Sequence, residues 1–410
     1  MRSLPAAIED ALVVPPGTDK HGSRALRDAL ERGEGISVLD LATPLFTVDI
    51  SDMTANATGM SAWARQQGVL LAPHGKTTMA PALWRWQLDL GAWAITVANE
   101  FQLRVAHATG IPRVLVANEL ISPSVTEWLA ATLSDAFEVI CWVDSLEGVH
   151  RLDAGLRAAG ATHPLAVCVE AGSTGGRSGA RSDADVAGLC DAVRAAPALT
   201  LVGLSGFEGA VPGGTEGARA LLHRLAGLFI DSSSRFETPH PLLSAGGSAF
   251  FDDVVDILAP AVADVEGSRL VLRSGAYLTH DDGVYRENSP SFRGTGPHLR
   301  PAMRIWASVL SVPEAERALL DVGKRDVSYD AGLPRPVAVW RDGRRLEDLD
   351  IEVVALADQH AFVDGAGLRV GDVVELSPSH PCTVFDKWRT VLVTAPPAPP
   401  TVLGAIPTTF

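Results

Sequence analysis

Two short segments of the chain concentrate residues able to do chemistry. The first, Ala72-Pro73-His74-Gly75-Lys76-Thr77-Thr78, closes a short apolar run. A lysine at the end of a buried strand can form a Schiff base with an aldehyde and act as a base on carbon. It needs a restricted environment that lowers its pKa and holds it in place. A lone lysine in a loop is more often an ordinary surface residue. The glycine before it also suggests a phosphate loop, but the GxxxxGK[ST] spacing is absent and that motif is excluded. The second segment is His380-Pro381-Cys382. On an extended strand, positions i and i+2 point to the same side, so imidazole and thiolate can share one metal ion. Two protein ligands suit an open site completed by water or substrate, and a thiolate favours zinc over magnesium or manganese. The spacing alone more often describes a buried cysteine beside a strand-end histidine.

The elements that must carry these residues follow a rhythm. From about residue 44, short apolar runs alternate with amphipathic stretches. The runs are Leu45–Ile50, Val69–Ala72, Ala92–Val97, Arg113–Ala117, Val139–Val143, Leu165–Val169, Leu201–Leu204, Pro241–Ser244 and Leu270–Leu272. Continuous apolar runs suit strands buried on both faces, and strands alternating with helices read as βαβ units. Their number favours a closed barrel over a doubly wound open sheet, and in a barrel the chemistry belongs just after the strand C-termini. After about residue 300 the runs shorten between Gly, Pro and Asp turns, which predicts a mostly β domain. The expected division is an α/β barrel over 40–300, with 1–39 and 301–410 forming the β-rich part that carries the metal pair.

The 410 residues carry a formal charge of −15 and show no basic cluster, which argues against nucleic acid or an anionic membrane as partner. No run of about 18 apolar residues suggests a spanning helix, and the N-terminus lacks the pattern of a signal peptide. Cys141, Cys168, Cys190 and Cys382 show no CxxC spacing or disulfide density. A cytoplasmic setting is the expectation.

Several blocks, taken in order, resemble the D-serine dehydratase and D-threonine aldolase group of pyridoxal-phosphate enzymes, which share the alanine-racemase fold. They are Thr43-Pro44-Leu45-Phe46-Thr47-Val48-Asp49, Pro73-His74-Gly75-Lys76-Thr77, Glu170-Ala171-Gly172, Arg177-Ser178-Gly179 and Gly203-Leu204-Ser205-Gly206-Phe207-Glu208-Gly209. Ser244-Ala245-Gly246-Gly247-Ser248, Ser274-Gly275-Ala276-Tyr277 and Ser379-His380-Pro381-Cys382-Thr383 complete the set. The resemblance implies a TIM-type (β/α)8 barrel that binds pyridoxal 5′-phosphate, with Lys76 as the catalytic, cofactor-holding lysine and His74 beside it. Gly246-Gly247-Ser248, ahead of a predicted helix at 250–258, is the candidate phosphate cradle, since glycines let backbone N–H groups approach an anion at a helix start. Arg177 is a candidate partner for the cofactor phenolate or a substrate carboxylate, against a solvated loop arginine. Tyr277 is a candidate contact for phosphate or substrate. Where relatives carry a polar aromatic or histidine, Phe207 cannot hydrogen-bond the pyridine nitrogen.

In dehydratases of this group a His-x-Cys pair resembles the zinc site, whereas the aldolases more often carry His-x-Asp. The implied activity is therefore β-elimination of water from a D-3-hydroxy amino acid, with zinc or another divalent metal on His380 and Cys382. Retro-aldol cleavage is the alternative, and racemisation or a non-catalytic cofactor carrier are remoter ones. The resemblance also implies a homodimer. His280-Asp281-Asp282 is expected as a solvated loop and His360 as a structural histidine. Gly323-Lys324-Arg325-Asp326 with Asp330 is expected as a turn-rich segment reaching the active site, and Trp84, Trp86 and Trp93 as packing residues.

Overall fold

The structure, a computed structural model, describes residues 4–346 and 350–410. The chain divides into two compact units: residues 61–76 with 87–275, and residues 1–60 with 77–86 and 276–410.

The first unit contains eight parallel strands: β1 (Leu70–Leu71), β2 (Ile95–Val97), β3 (Arg113–Val116), β4 (Glu138–Val143), β5 (Leu165–Ala171), β6 (Leu199–Gly206), β7 (Leu242–Ala245) and β8 (Arg269–Leu272). Neighbours pair in the order β1-β8-β7-β6-β5-β4-β3-β2. The ends of this sheet meet as well, because Trp93 N donates to Leu71 O at 2.7 Å and Thr96 N donates to Pro73 O at 2.9 Å. These bonds join β1 to the β2 segment and close the barrel. Ala72, Ala94, Leu115, Ile140, Trp142, Cys168, Leu242 and Val271 fill one cluster of its core. The helices that cover it start where their sequences predict. Ser182 and Asp185 form a reciprocal cap on Asp183–Arg194, and Ser145 caps Leu146–Ala158.

The second unit is mostly β. Its sheet runs Ile36–Ser37, Thr401–Pro407, Thr390–Ala395, Leu45–Asp49 and Met303–Glu314, and continues to Arg317–Leu320, Ala361–Asp364 and Glu352–Leu356. Val373–Ser377 pairs with Met303–Glu314, and Arg335–Arg341 pairs in turn with Val373–Ser377. The first apolar run of the sequence thus belongs here and not to the barrel: Leu45–Asp49 pairs antiparallel with Met303–Trp306 and parallel with Leu392–Thr394. A run buried on both faces looks the same in either sheet, so local sequence could not assign it. Leu45, Trp306, Trp340, Leu392 and Val402 share one core cluster.

The N-terminal segment is bound into this unit by specific contacts. Lys20 Nζ donates to Asp326 Oδ1 at 2.8 Å, and His21 stacks on Trp388 at 4.6 Å between ring centroids. Trp388, 1% exposed, also donates from Nε1 to Asp326 O at 2.9 Å and packs near Phe46. Burial lowers the His21 pKa to about 3, with the Lys20 cation adding to the effect, so the stacked ring is neutral. The segment Gly323–Asp326 serves this anchoring: Asp326 Oδ2 accepts from Gly323 N and Gln359 Nε2. Replacing Trp388 with Ala removes the ring on which these contacts converge. The expected loss is about 3–5 kcal/mol of unfolding free energy, measured by urea denaturation.

Candidate active site

Parallel strands deliver their C-terminal ends to one rim, and the polar residues of the barrel unit collect there. Lys76 lies in the 3-10 turn Gly75–Thr77, a few residues after β1. His74 precedes it, held in register by a bridge to Thr96. Burial depresses the His74 pKa well below the ordinary value, and the Lys76, Arg273 and Arg177 cations add to the depression. The ring is therefore neutral, and its buried Nδ1 has no hydrogen-bond partner among the described residues. An orphaned polar atom beside a lysine is what a ligand-accepting site would show.

Arg177 stands in the loop after β5, with its guanidinium carbon 4.7 Å from the centroid of Phe207. Arg181 tightens that loop by donating to the carbonyls of Ser178 at 2.7 Å and Gly179 at 2.8 Å, and Gly179 N donates to Asp144 Oδ2 at 3.0 Å. Phe207 thus supports a cation in place of offering a hydrogen bond.

Gly246, Gly247 and Ser248 follow β7 and lead into the helix Phe251–Ala263. Gly246 has φ +96°, which favours glycine. The N–H groups of both glycines donate to one carboxylate: Gly246 N to Glu208 Oε2 at 3.1 Å and Gly247 N to Glu208 Oε1 at 2.6 Å.

Three charged residues of this rim were given no role from sequence. Arg273, 5% exposed, follows β8; it donates to Ser244 Oγ at 2.7 Å and to Gly206 O at 2.8 Å, and lies over Trp142. Its signal was a lone charge directly after the apolar run Leu270–Leu272. Glu208 and Glu119 are the others. Burial pushes the Glu119 carboxyl up to about 7, helped by the Glu170 and Asp144 carboxylates. Glu119 Oε1 and Glu170 Oε2 are both buried without hydrogen-bond partners among the described residues. Glu119 had no signal, because a raised carboxyl depends on neighbours from two other strands.

The metal pair lies in the β unit, in a conformation other than the expected one. Pro381 is helical, at φ −62° and ψ −43°, and Cys382–Phe385 is a short helix. The alternation of an extended strand therefore does not bring His380 and Cys382 together; the turn into the helix does. Their side chains hydrogen-bond, and this contact is the first cause raising the His380 pKa to about 9, with Asp330 adding to it. Asp330 Oδ2 lies 2.7 Å from His380 Nδ1, and its other oxygen accepts from Thr383 Oγ1. A histidine held by a carboxylate on one ring nitrogen has the arrangement that orients a metal ligand. Among the described residues no group of three or more His, Cys, Asp or Glu side chains is set to hold a metal ion, so the pair would need water or substrate to complete coordination. Thr77 Oγ1, one residue after Lys76 in the chain, is 3.2 Å from Cys382 Sγ.

Other expectations fare differently. Tyr277 lies in the 3-10 turn Ala276–Leu278 of the β unit and is 3% exposed. His280 and Asp281 are buried rather than solvated, at 4% and 1% exposure, because the Asp281 side chain turns back to cap the N–H groups of Gly283 and Tyr285. His360 is exposed at a hairpin. Trp84 and Trp86 are buried packing residues, and Arg113 lies over Trp93. None of the four cysteines forms a disulfide, and burial raises the thiols of Cys141, Cys168 and Cys190 above their ordinary range, leaving them unsuited to nucleophilic work. No helix of the described residues is long and apolar enough to cross a membrane.

Known proteins resemble this chain over most of its length. Residues 302–394 match the family described as Putative serine dehydratase domain. The D-threonine aldolase of an Arthrobacter species is 27% identical over 374 residues, covering 88% of this chain and 91% of that protein. A 3-hydroxy-D-aspartate aldolase of Paracoccus denitrificans is 26% identical over 366 residues, covering 86% and 89%. Among solved structures, D-threonine aldolase from Filomicrobium marinum superposes with a TM-score of 0.76 at 25% identity, covering 92% of this chain and 97% of that one. Two more share the fold: D-threo-3-hydroxyaspartate dehydratase from a Delftia species (TM-score 0.69, 19% identity, 91% and 99% covered) and alanine racemase from Streptomyces lavendulae (0.61, 18%, 85% and 96%).

The Glu119 shift has a consequence for stability. A carboxyl whose folded pKa lies above its unfolded value contributes stability at low pH and loses it as pH rises from about 4.5 to about 7. Glu119→Gln removes the ionisation. Its melting temperature relative to wild type should therefore climb across that window and level off above it, followed by calorimetry at several pH values.

Proposed function

We propose that this chain, which belongs to the D-serine dehydratase and D-threonine aldolase-like family, is a pyridoxal-phosphate-dependent lyase that dehydrates D-3-hydroxy amino acids such as D-serine or D-threonine to a 2-oxo acid and ammonia. The observation that carries the dehydratase reading is the paired His380 and Cys382, joined through the His380 ring to Asp330. The proposal includes a homodimer in the cytoplasm.

The residues fit the implied groups. Lys76 would hold the cofactor, with neutral His74 and Arg177 beside it and the turn at Gly246–Ser248 shaping the cradle for its phosphate; Tyr277 is assigned a contact with phosphate or substrate. His380 and Cys382 would hold zinc or a related divalent metal. When bound, the cofactor would draw the electron pair left at the substrate's Cα, and the metal would make the β-hydroxyl a better leaving group. Lys76 is the base that takes the Cα proton. Arg177 offers a guanidinium to an anionic oxygen. His74 enters this surrounding without adding charge, since its ring is neutral. Asp330 keeps the His380 ring oriented through Nδ1.

Retro-aldol cleavage to glycine and an aldehyde is the second reading, favoured by the two aldolases among the relatives. Incubation of the cofactor- and zinc-loaded protein with D-threonine separates the two. The expected products are 2-oxobutanoate and ammonia; glycine with acetaldehyde would keep Lys76 and overturn the dehydratase assignment. Lys76→Ala should abolish both product sets.

The metal reading has its own test. Asp330→Asn should weaken zinc binding about 10–100-fold, measured by competition with a chromophoric chelator. Unchanged affinity would remove Asp330 from the site.

A further inference from the structure

Glu208 stands in the short turn Glu208–Ala210 directly after β6 and is 1% exposed. Its two oxygens accept from consecutive backbone N–H groups, those of Gly246 and Gly247, at 3.1 and 2.6 Å. The carbonyl side of the same turn is bonded as well. Ser274 Oγ donates to Gly246 O at 3.3 Å and to Gly247 O at 3.1 Å, and Arg273 N donates to Gly246 O at 3.3 Å. The approach is close: a Cβ on Gly247 would lie 3.0 Å from the Phe207 ring and 3.4 Å from Glu208 Oε1. Arg273, buried nearby, supplies a compensating positive charge.

Two roles would put a carboxylate on a glycine turn ahead of a helix. In one it stands where a ligand anion belongs and leaves when that anion arrives. In the other it is a permanent brace. Displacement would strand a carboxylate, 1% exposed, without either of its N–H donors, and a buried charged group left without its partners is strongly disfavoured. The bonds from Ser274 and Arg273 also hold the turn from the side opposite Glu208. Both observations favour the brace.

We propose that Glu208 is a positioning residue for the phosphate of the cofactor: by taking the N–H groups of Gly246 and Gly247 it fixes the turn through which the chain enters the helix Phe251–Ala263, at whose N-terminal end the phosphate is held. The proposal rests on the reading of this chain as a pyridoxal-phosphate enzyme. It deepens that reading by separating the glycines, which shape the cradle, from the groups that touch the anion. The dipole of the helix favours an anion at that end only while the turn before it keeps its direction.

The test compares two ligands that differ only in phosphate. In Glu208→Gln one acceptor oxygen is replaced by an NH2 group facing an N–H donor, and the brace is half lost. Dissociation constants for pyridoxal 5′-phosphate and for pyridoxal are measured by visible absorbance and tryptophan fluorescence, together with the melting temperature of the cofactor-free protein. The expected result is a rise of about 10–100-fold in the constant for pyridoxal 5′-phosphate, with the constant for pyridoxal unchanged. Unchanged or tighter binding of pyridoxal 5′-phosphate would overturn the brace, the tighter value marking Glu208 as a displaced stand-in. An equal weakening of both ligands would also overturn it, as a general loss of structure. Should the Gln variant not fold, Glu208→Asp, which keeps the charge and shortens the reach, should weaken pyridoxal 5′-phosphate alone by a smaller factor; wild-type affinity there overturns the proposal. Wild-type protein that binds neither ligand through Lys76 would defeat the cofactor reading itself, a result distinct from any of these.

Discussion

A parallel ladder runs every strand in the same direction, and the barrel unit depends on that constraint. Closure by the bonds from Trp93 N to Leu71 O and from Thr96 N to Pro73 O makes the alignment continuous around the ring. Every loop leaving a strand C-terminus then opens onto one rim. Lys76, Glu119, Arg177, Glu208, Gly246 and Arg273 are scattered over some 200 residues of chain, yet each follows a strand of the same sheet. Their mutual electrostatics follow from this gathering. The His74 ring is held neutral partly by Lys76 in its own loop and by Arg273 and Arg177 from two others, and the Glu119 proton is held partly by carboxylates from β5 and from the end of β4.

The rim balances charge in an environment where unbalanced charge is costly. Glu208 and Glu170 are almost wholly buried, and Arg273 is buried with them. Arg177 lies over the Phe207 ring, an arrangement that accommodates a cation without a counter-ion in contact. This distribution gives Phe207 a purpose that its inability to hydrogen-bond does not suggest. It also explains why the glycine turn after β7 is more than a gap for a ligand, since Glu208 needs the same backbone approach that a phosphate would.

In the β unit the governing feature is local. Pro381 in a helical conformation turns the chain between His380 and Cys382, and the following short helix brings Thr383 against the same Asp330 that holds the His380 ring. His380 and Thr383 of one turn thus share the two oxygens of Asp330, with the Cys382 thiol beside the His380 ring. Thr77, of the same unit, also reaches Cys382 with its hydroxyl.

The alternation of apolar runs with helical stretches was enough to reveal a parallel barrel followed by a β-rich region, because burial on both faces leaves an unbroken apolar signature. Lys76 and the His380–Cys382 pair, whose proposed roles rest on their own chemical type, could also be picked out there, since a reactive amine and a soft ligand pair stand out against a strand-and-loop background. What local sequence could not decide were the properties that depend on neighbours distant in the chain. Leu45–Asp49 reads as a barrel strand until its partners are known. His280-Asp281 reads as a wet loop until Asp281 is seen capping its own turn. The roles of Arg273, Glu119 and Glu208 arise only when strands far apart in sequence set their charges side by side. Pairing partners and electrostatic neighbours are relations across the fold, whereas periodicity and residue type are carried by the chain itself.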